Sequence, residues 1–334
     1  MLLFSLFNTQ IQTETILFGV FALVIGVFLV VDLGVFNKTP HKITTKSALR
    51  QSIFWVCVSA VFGFVIYLNG PYEHLDGGVT VATSGLDAMI EYFSAYLTEY
   101  ALSVDNIFVI LLILRYFTVK EEYFHKVLFW GILGAVVFRA VFIFVGAIAI
   151  QKFHWILYIA GVFLIYSGVK IYFEDSDEKI DPETNPILRI CRKYLPLTKE
   201  DMGDKFAVKV DGKLLFTPLF LVVVLIETTD LIFAVDSIPA AFAITQNPFL
   251  IYTSNIFAIM GLRAMFFLLS GVIDKFYLLQ KGLSIILFFI GAKMLLEIIH
   301  VSIPVVLSFM VIFATLTLSI VFSVIVPKKE KAED

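Results

Sequence analysis

The sequence predicts an all-α polytopic membrane protein of about nine transmembrane helices, and three observations predict it. Of 334 residues, 59% are hydrophobic and 16% charged, with a mean hydropathy of +0.92; a soluble domain is nearer half apolar and a quarter charged. The apolar runs approach or exceed the roughly 20 residues that a helix needs to cross a bilayer. Lys and Arg gather in alternate connecting segments, as they do where loops resist translocation.

Apolar windows place the spans near 15–35, 52–68, 88–114, 127–150, 155–173, 217–245, 249–271, 282–299 and 303–326. The first fourteen residues lack a basic stretch, so the first run reads as a retained helix and not a cleaved signal. Loop 36–51 carries Lys38, Lys42, Lys46 and Arg50, whereas 69–87 carries neither Lys nor Arg. Segment 115–126 holds Arg115, Lys120 and Lys126, while 151–154 holds Lys152 alone. Eight basic residues lie between Lys179 and Lys213, none in 246–248, two in 272–281 (Lys275 and Lys281), and three in the tail (Lys328, Lys329 and Lys331). This alternation predicts nine spans with the N-terminus outside and the C-terminus in the cytoplasm.

Self-similarity divides the chain further. The third span reads Glu99-YALSV-Asp105-Asn106, and the sixth reads Asp230-LIFAV-Asp236-Ser237, an offset of 131. FRAVFIFVG in the fourth span and LRAMFFLLSG in the seventh align Arg139 with Arg263, and GVKIYFE and GAKMLLE align Lys170 with Lys293 and Glu174 with Glu297. Three crossings is an odd number, so spans 3–5 and 6–8 are expected to enter the membrane from opposite sides. Such an inverted repeat places a substrate site near the midplane. The expected organisation is a two-helix extension (1–87), a first repeat (88–173), a charged cytoplasmic loop (174–216), a second repeat (217–299), and a final helix with its tail (300–334).

What the two copies share is ionisable. A carboxylate at mid-bilayer costs roughly 2.5–3.5 kcal/mol on insertion scales and usually faces a cavity or a partner. Glu99 and Asp105 in span 3, and Glu227, Asp230 and Asp236 in span 6, are therefore candidate cation ligands, with Asn106 and Ser237 as neutral neighbours. Arg139, Arg263 and, more weakly, Lys293 are the candidate charge partners, whereas Lys170 is expected to snorkel to the interface. Six helical residues turn through about 600°, so Glu99 and Asp105 would diverge on a regular helix. A single ion site would then need broken helices, expected near 235–240 at Pro239 and more mildly near 103–106. Asp32 reads as an interfacial residue, and the acidic EDSDEK segment (174–179) as a solvated linker.

Ligand chemistry narrows the ion. His41, His74, His125, His154 and His300 fall in loops or at helix ends, and neither Cys57 nor Cys191 lies near the acids. Carboxylate, amide and hydroxyl donors suit Mn²⁺, Mg²⁺ or Ca²⁺ over Zn²⁺ or Cu⁺, and the donors alone do not choose among the three. No prosthetic group is implied. A net charge of −3 gives no reason to expect nucleic acid. The chain contains no P-loop, HExxH or GxSxG motif, which argues against an ATPase and an intramembrane hydrolase.

The stretches TEYALSVDNIFVILLI (98–113) and FTPLFLVVVLIETTDLIFAVDSIPAAFAIT (216–245), followed by SNIFAIMGLRAMFFLL (254–269), resemble the signature segments of the TerC family of bacterial membrane proteins, which is related to the LysE superfamily. The two additional N-terminal helices and the 174–216 insert resemble its longer, Alx-type branch. The resemblance implies multi-pass residence in the bacterial inner membrane and efflux of divalent metal, chiefly Mn²⁺. The family's acidic motif positions correspond to Glu99, Asp105, Asn106, Glu227, Asp230 and Asp236. The expected function is Mn²⁺ export by alternating access, coupled to protons or another ion. A scaffold that assists metalation or assembly of secreted proteins is the second expectation, with the 174–216 loop recruiting secretion machinery or a membrane protease.

Overall fold

A computed structural model describes residues 2–31, 44–76, 79–153, 155–173, 189, 191, 193–198, 203–210, 213–270, 278–299, 301 and 303–325. Side chains are described for these except 2–13, 73–76, 79–80, 105, 108 and 297. Asp32, the EDSDEK segment, much of the 174–216 insert and the side chain of Asp105 thus lie outside the described residues.

Nine helices of membrane-crossing length and composition occur among the described residues. They are α1 (Leu2–Val31), α2 (Thr45–Asn69), α3 (Gly85–Tyr116), α4 (Glu121–Lys152), α5 (Ile156–Phe173), α6 (Pro218–Ile244), α7 (Pro248–Leu269), α8 (Leu279–Leu296) and α9 (Val305–Ile325). Each overlaps one apolar window, but α1, α2, α3, α4 and α8 begin earlier than hydropathy alone suggests. Side-chain caps start α2 and α3. Thr44 accepts a hydrogen bond from Ser47 N, and Ser84 accepts one from Asp87 N. At 32 residues, α3 and α4 span about 48 Å and so outreach a hydrocarbon core of about 30 Å. Thr217-Pro218 and Asn247-Pro248 start α6 and α7 with a capping oxygen followed by Pro in the first turn.

The expected helix breaks do not occur. The helix α6 continues through Pro239 to Ile244, and α3 is unbroken from Gly85 to Tyr116. Pro239 stands little more than a turn before the end of its helix. Its missing N–H removes one hydrogen bond where the ladder is about to stop, and membrane helices tolerate that.

Burial sorts the helices into layers. Every residue of α7 from Phe249 to Leu262 is buried, and α2, α3 and α4 pack around it. The outer helices α1 and α9 present Val20, Leu23, Val27, Met310, Phe313 and Val324 outward, the surface expected of helices that face lipid.

Contacts between distant segments fix which ends lie together. At one end, the Lys126 Nζ of α4 donates to the Asp204 backbone carbonyl (2.6 Å) and carboxylate (2.9 Å), holding that carboxyl below its usual range. Lys281 at the start of α8 donates to the Tyr172 carbonyl at the end of α5. An antiparallel hairpin of β3 (Ala207–Val210) and β4 (Lys213–Phe216) feeds directly into α6 at this end. At the other end, a hairpin of β1 (Tyr72–Asp76) and β2 (Val79–Thr83) joins α2 to α3, and Tyr72 stacks on Phe249. There Asn247 Nδ2 also donates to Glu14 of α1. The basic segments that are described thus share one end of the bundle, as their alternation predicts.

The contact between α5 and α8 is a close one. A β-carbon added at Gly168 would lie 2.7 Å from the Ser284 carbonyl oxygen and 2.9 Å from the Phe288 nitrogen; one at Gly291 would lie 2.6 Å from the Gly161 carbonyl oxygen and 2.9 Å from the Ile165 nitrogen. Adding 123, the sequence offset of the two helices, to Gly161, Ile165 and Gly168 gives Ser284, Phe288 and Gly291. The contact is reciprocal under that offset.

Candidate functional site

Where α3, α4, α6 and α7 meet, the apolar interior is interrupted by a cluster of charge. Arg139 of α4, 1% exposed, is at its centre. Its Nη1 lies 2.6 Å from Glu99 Oε1 of α3, and its Nη2 lies 3.4 Å from Asp230 Oδ1 of α6. The same Nη1 donates to Asn255 Oδ1 of α7 (2.9 Å) and to Ser237 Oγ of α6 (3.3 Å). Asn106 Nδ2 donates to Asp230 Oδ1 at 3.3 Å, and Ser103 Oγ to Glu99 Oε1 at 3.4 Å. One guanidinium therefore ties together four helices and two carboxylates. Its planar fork of donors suits that task in a way a lysine ammonium does not.

The cluster is incompletely satisfied. Glu99 Oε2, Asn106 Oδ1, Arg139 Nε and Glu227 Oε2 are buried and find no hydrogen-bond partner among the described residues. Buried polar atoms are normally paired, and each unpaired one asks for an explanation. Glu227, one turn before Asp230 on α6, lays its carboxylate against Gly134 of α4, where a β-carbon would come within 2.0 Å of Oε1. With Glu227 in this position, the missing side chain of Gly134 is what makes room for the carboxylate.

The candidate residues from the sequence divide into two groups. Glu99, Asn106, Asp230, Ser237 and Arg139 converge, with Glu227 beside them. Asp236 does not join them; its Oδ1 accepts a hydrogen bond from Ser167 Oγ of α5 at 2.9 Å. Because α6 is unbroken, the six-residue step from Asp230 turns Asp236 toward another neighbour, so the acids do not share one site. Arg263 is half-buried on α7, and Lys170 is exposed near the end of α5. Lys293 is buried near the opposite end of the bundle, donating to the Ala243 carbonyl at 3.2 Å. Arg139 pairs with two carboxylates, those of Glu99 and Asp230. Among the described residues no three His, Cys, Asp or Glu side chains lie close enough to cage a metal ion.

Two participants, and one further buried acid outside this cluster, were not among the residues singled out from the sequence. Asn255 and Ser103 are polar residues in predicted spans, but uncharged and so inconspicuous. Glu91 of α3, 8% exposed, is an ionisable residue inside a predicted span and was legible by the same rule that found Glu99.

Residues 84–331 match the integral membrane protein TerC family. An uncharacterized membrane protein of Rickettsia bellii is 42% identical over 306 residues, covering 92% of this chain and 96% of its own length. One from Myxococcus xanthus is 40% identical over 316 residues, covering 95% of this chain and 94% of its own. An Escherichia coli K12 protein carrying the name "Putative membrane-bound redox modulator Alx" is 40% identical over 309 residues, covering 92% of this chain and 94% of its own. No solved structure matches the chain.

Proposed function

The chain belongs to the TerC family of integral membrane proteins, and on that premise we propose that it exports a divalent cation, Mn²⁺ foremost, across the bacterial inner membrane by alternating access. The observation that carries this reading is a surplus of acid over base deep in the bundle. Glu99 and Asp230 share the single guanidinium of Arg139, Glu227 stands one turn from Asp230, and among the described residues Glu99 Oε2, Asn106 Oδ1 and Glu227 Oε2 lack hydrogen-bond partners. A purely structural ion pair would be balanced and fully hydrogen-bonded, because unsatisfied buried charge is costly.

The geometry supports a conformation closed by the protein's own cation. Arg139 occupies the position between Glu99 and Asp230 that a metal would need, which accounts for the lack of a preformed cage among the described residues. When the cargo enters, the two carboxylates exchange the guanidinium for the ion, and Asn106 Oδ1, Asn255 Oδ1 and Ser237 Oγ complete an all-oxygen set. Hard divalent cations favour such donors, and the family resemblance selects Mn²⁺ among them. Release returns Arg139 to the carboxylates, and protons taken up by the surplus acids supply the counter-movement.

Alternating access is read here as the rocking of two inverted three-helix units, α3–α5 and α6–α8, about the site between them. The reciprocal glycine contacts of α5 and α8 support that reading, since a two-fold relation between the units requires them.

Mn²⁺ flux into proteoliposomes tests the proposal. Native protein should carry Mn²⁺ ahead of Ca²⁺, Mg²⁺ and Zn²⁺, and Glu99→Gln and Asp230→Asn should each reduce the flux at least about tenfold, the effect of 1.4 kcal/mol on a rate. Undiminished flux in both variants would overturn the assignment.

A further inference from the structure

A second buried charge cluster lies toward the end of the bundle that holds the β1–β2 hairpin. Glu91 of α3 is more than nine-tenths buried, and its Oε2 finds no hydrogen-bond partner among the described residues. Its carboxylate is hydrogen-bonded by the Thr245 side chain, and the Lys293 ammonium and Asp87 are in electrostatic range. Thr245 is the C-terminal cap of α6, and its Oγ1 also accepts from Asn247 N at 3.3 Å, which leaves its proton for Glu91. Lys293 reaches across from α8 to the carbonyl of Ala243, in the last turn of α6.

The last four carbonyls of a helix lack intrahelical donors and carry the negative end of its dipole. The end of α6 therefore combines a carbonyl, a hydroxyl and a buried carboxylate, three hard oxygen donors, around a lysine ammonium. This repeats on a smaller scale the arrangement at the centre, where Arg139 fills a place among carboxylate, amide and hydroxyl oxygens. Between the two clusters, α3 turns Ser94 and Thr98 inward, both buried, and Thr98 Oγ1 again lacks a partner among the described residues. Polar side chains at 91, 94, 98 and 99 thus connect the clusters along one helix.

We propose that Glu91, Thr245 and the Ala243 carbonyl form a second, outer cation site that takes the transported divalent ion on its way out, with Lys293 as the tethered cation that fills the site until the ion displaces it. This rests on the export reading for its cargo, but not on the central residues for its ligands. Oppositely charged Glu91 and Lys293 also make the site self-closing. Departure of the ion lets the ammonium return, so the outer path is never left as an open column of carboxylates.

The test is the stoichiometry and affinity of Mn²⁺ binding to the purified full-length protein, measured by electron paramagnetic resonance of free Mn²⁺. Native protein should bind two ions, and Glu91→Gln and Asp230→Asn one each. Lys293→Met should keep two and tighten the outer one by about tenfold, because its internal competitor is gone. Gln preserves the shape of Glu91 and the Thr245 hydrogen bond, and Lys293→Met is a gain of binding that misfolding cannot produce. If Glu91→Gln binds as native protein does while Asp230→Asn loses an ion, the outer site is wrong and the central reading stands. If Asp230→Asn is unaffected while Glu91→Gln loses an ion, the outer site stands and the central assignment fails. Absence of any Mn²⁺ binding by native protein overturns both.

Discussion

Arg139 decides the character of the interior. A lone arginine in a membrane-embedded core is costly, and so is each carboxylate; together they are tolerable because the fork of one meets the oxygens of the others. Removing the guanidinium alone is therefore predicted to be worse than removing it with a partner. Arg139→Met should destabilise the protein by about 3–5 kcal/mol, the usual effect of stranding a buried charge. Adding Glu99→Gln should recover a substantial part of that loss. Unfolding in mixed micelles measures both, and additive losses in the double variant would show that the pair does not act as a unit. The acids themselves were legible in the sequence, since an ionisable residue in an apolar run is conspicuous. Their grouping was not. The spacing of Asp230 and Asp236 permits a shared site only if the helix breaks, and whether Pro239 breaks it depends on its distance from the helix end.

At the scale of elements, hydropathy located each helix but not every start: α2 and α3 begin at the caps Thr44 and Ser84, several residues before their apolar windows, whereas Thr217 and Asn247 cap α6 and α7 close to theirs. Which helices touch was less legible, since glycine in a span signals close approach without naming the neighbour. Gly168 and Gly291 show what the neighbour is. Their absent β-carbons would meet backbone atoms of the opposing helix, which cannot swing aside as a side chain can. Gly168→Ala and Gly291→Ala should each cost about 1–3 kcal/mol in the same unfolding measurement, as overpacking usually does. The control is Gly26→Ala in α1, where a β-carbon meets nothing within 4 Å; it should be neutral or slightly stabilising, because alanine is the better helix former. Equal effects at all three positions would mean that α5 and α8 do not pack as closely as their glycines indicate.

For the whole molecule, the expected orientation follows from where Lys and Arg stand, and the structure adds an independent constraint. Lys126 with Asp204, and Lys281 with the Tyr172 carbonyl, bring the basic segments to one end, while the β1–β2 hairpin and the α6–α7 turn share the other. If basic loops stay in the cytoplasm, that first end faces inward, and export must run from it toward the hairpin. Single cysteines make this testable in a protein whose Cys57 and Cys191 are first replaced by serine. Cysteines at the exposed positions Lys120 and Lys209 should resist a membrane-impermeant maleimide in intact cells and react once the membrane is opened; those at Val81 and Leu86 should react in both cases. The reverse pattern would invert the protein and turn the proposed exporter into a route for uptake. A mixed pattern, with Lys120 and Lys209 on different sides, would break the alternation on which the two inverted units depend. The expected pattern instead places Glu91, Thr245 and Lys293 at the exit of the path that begins at Arg139, as the outer cation site requires.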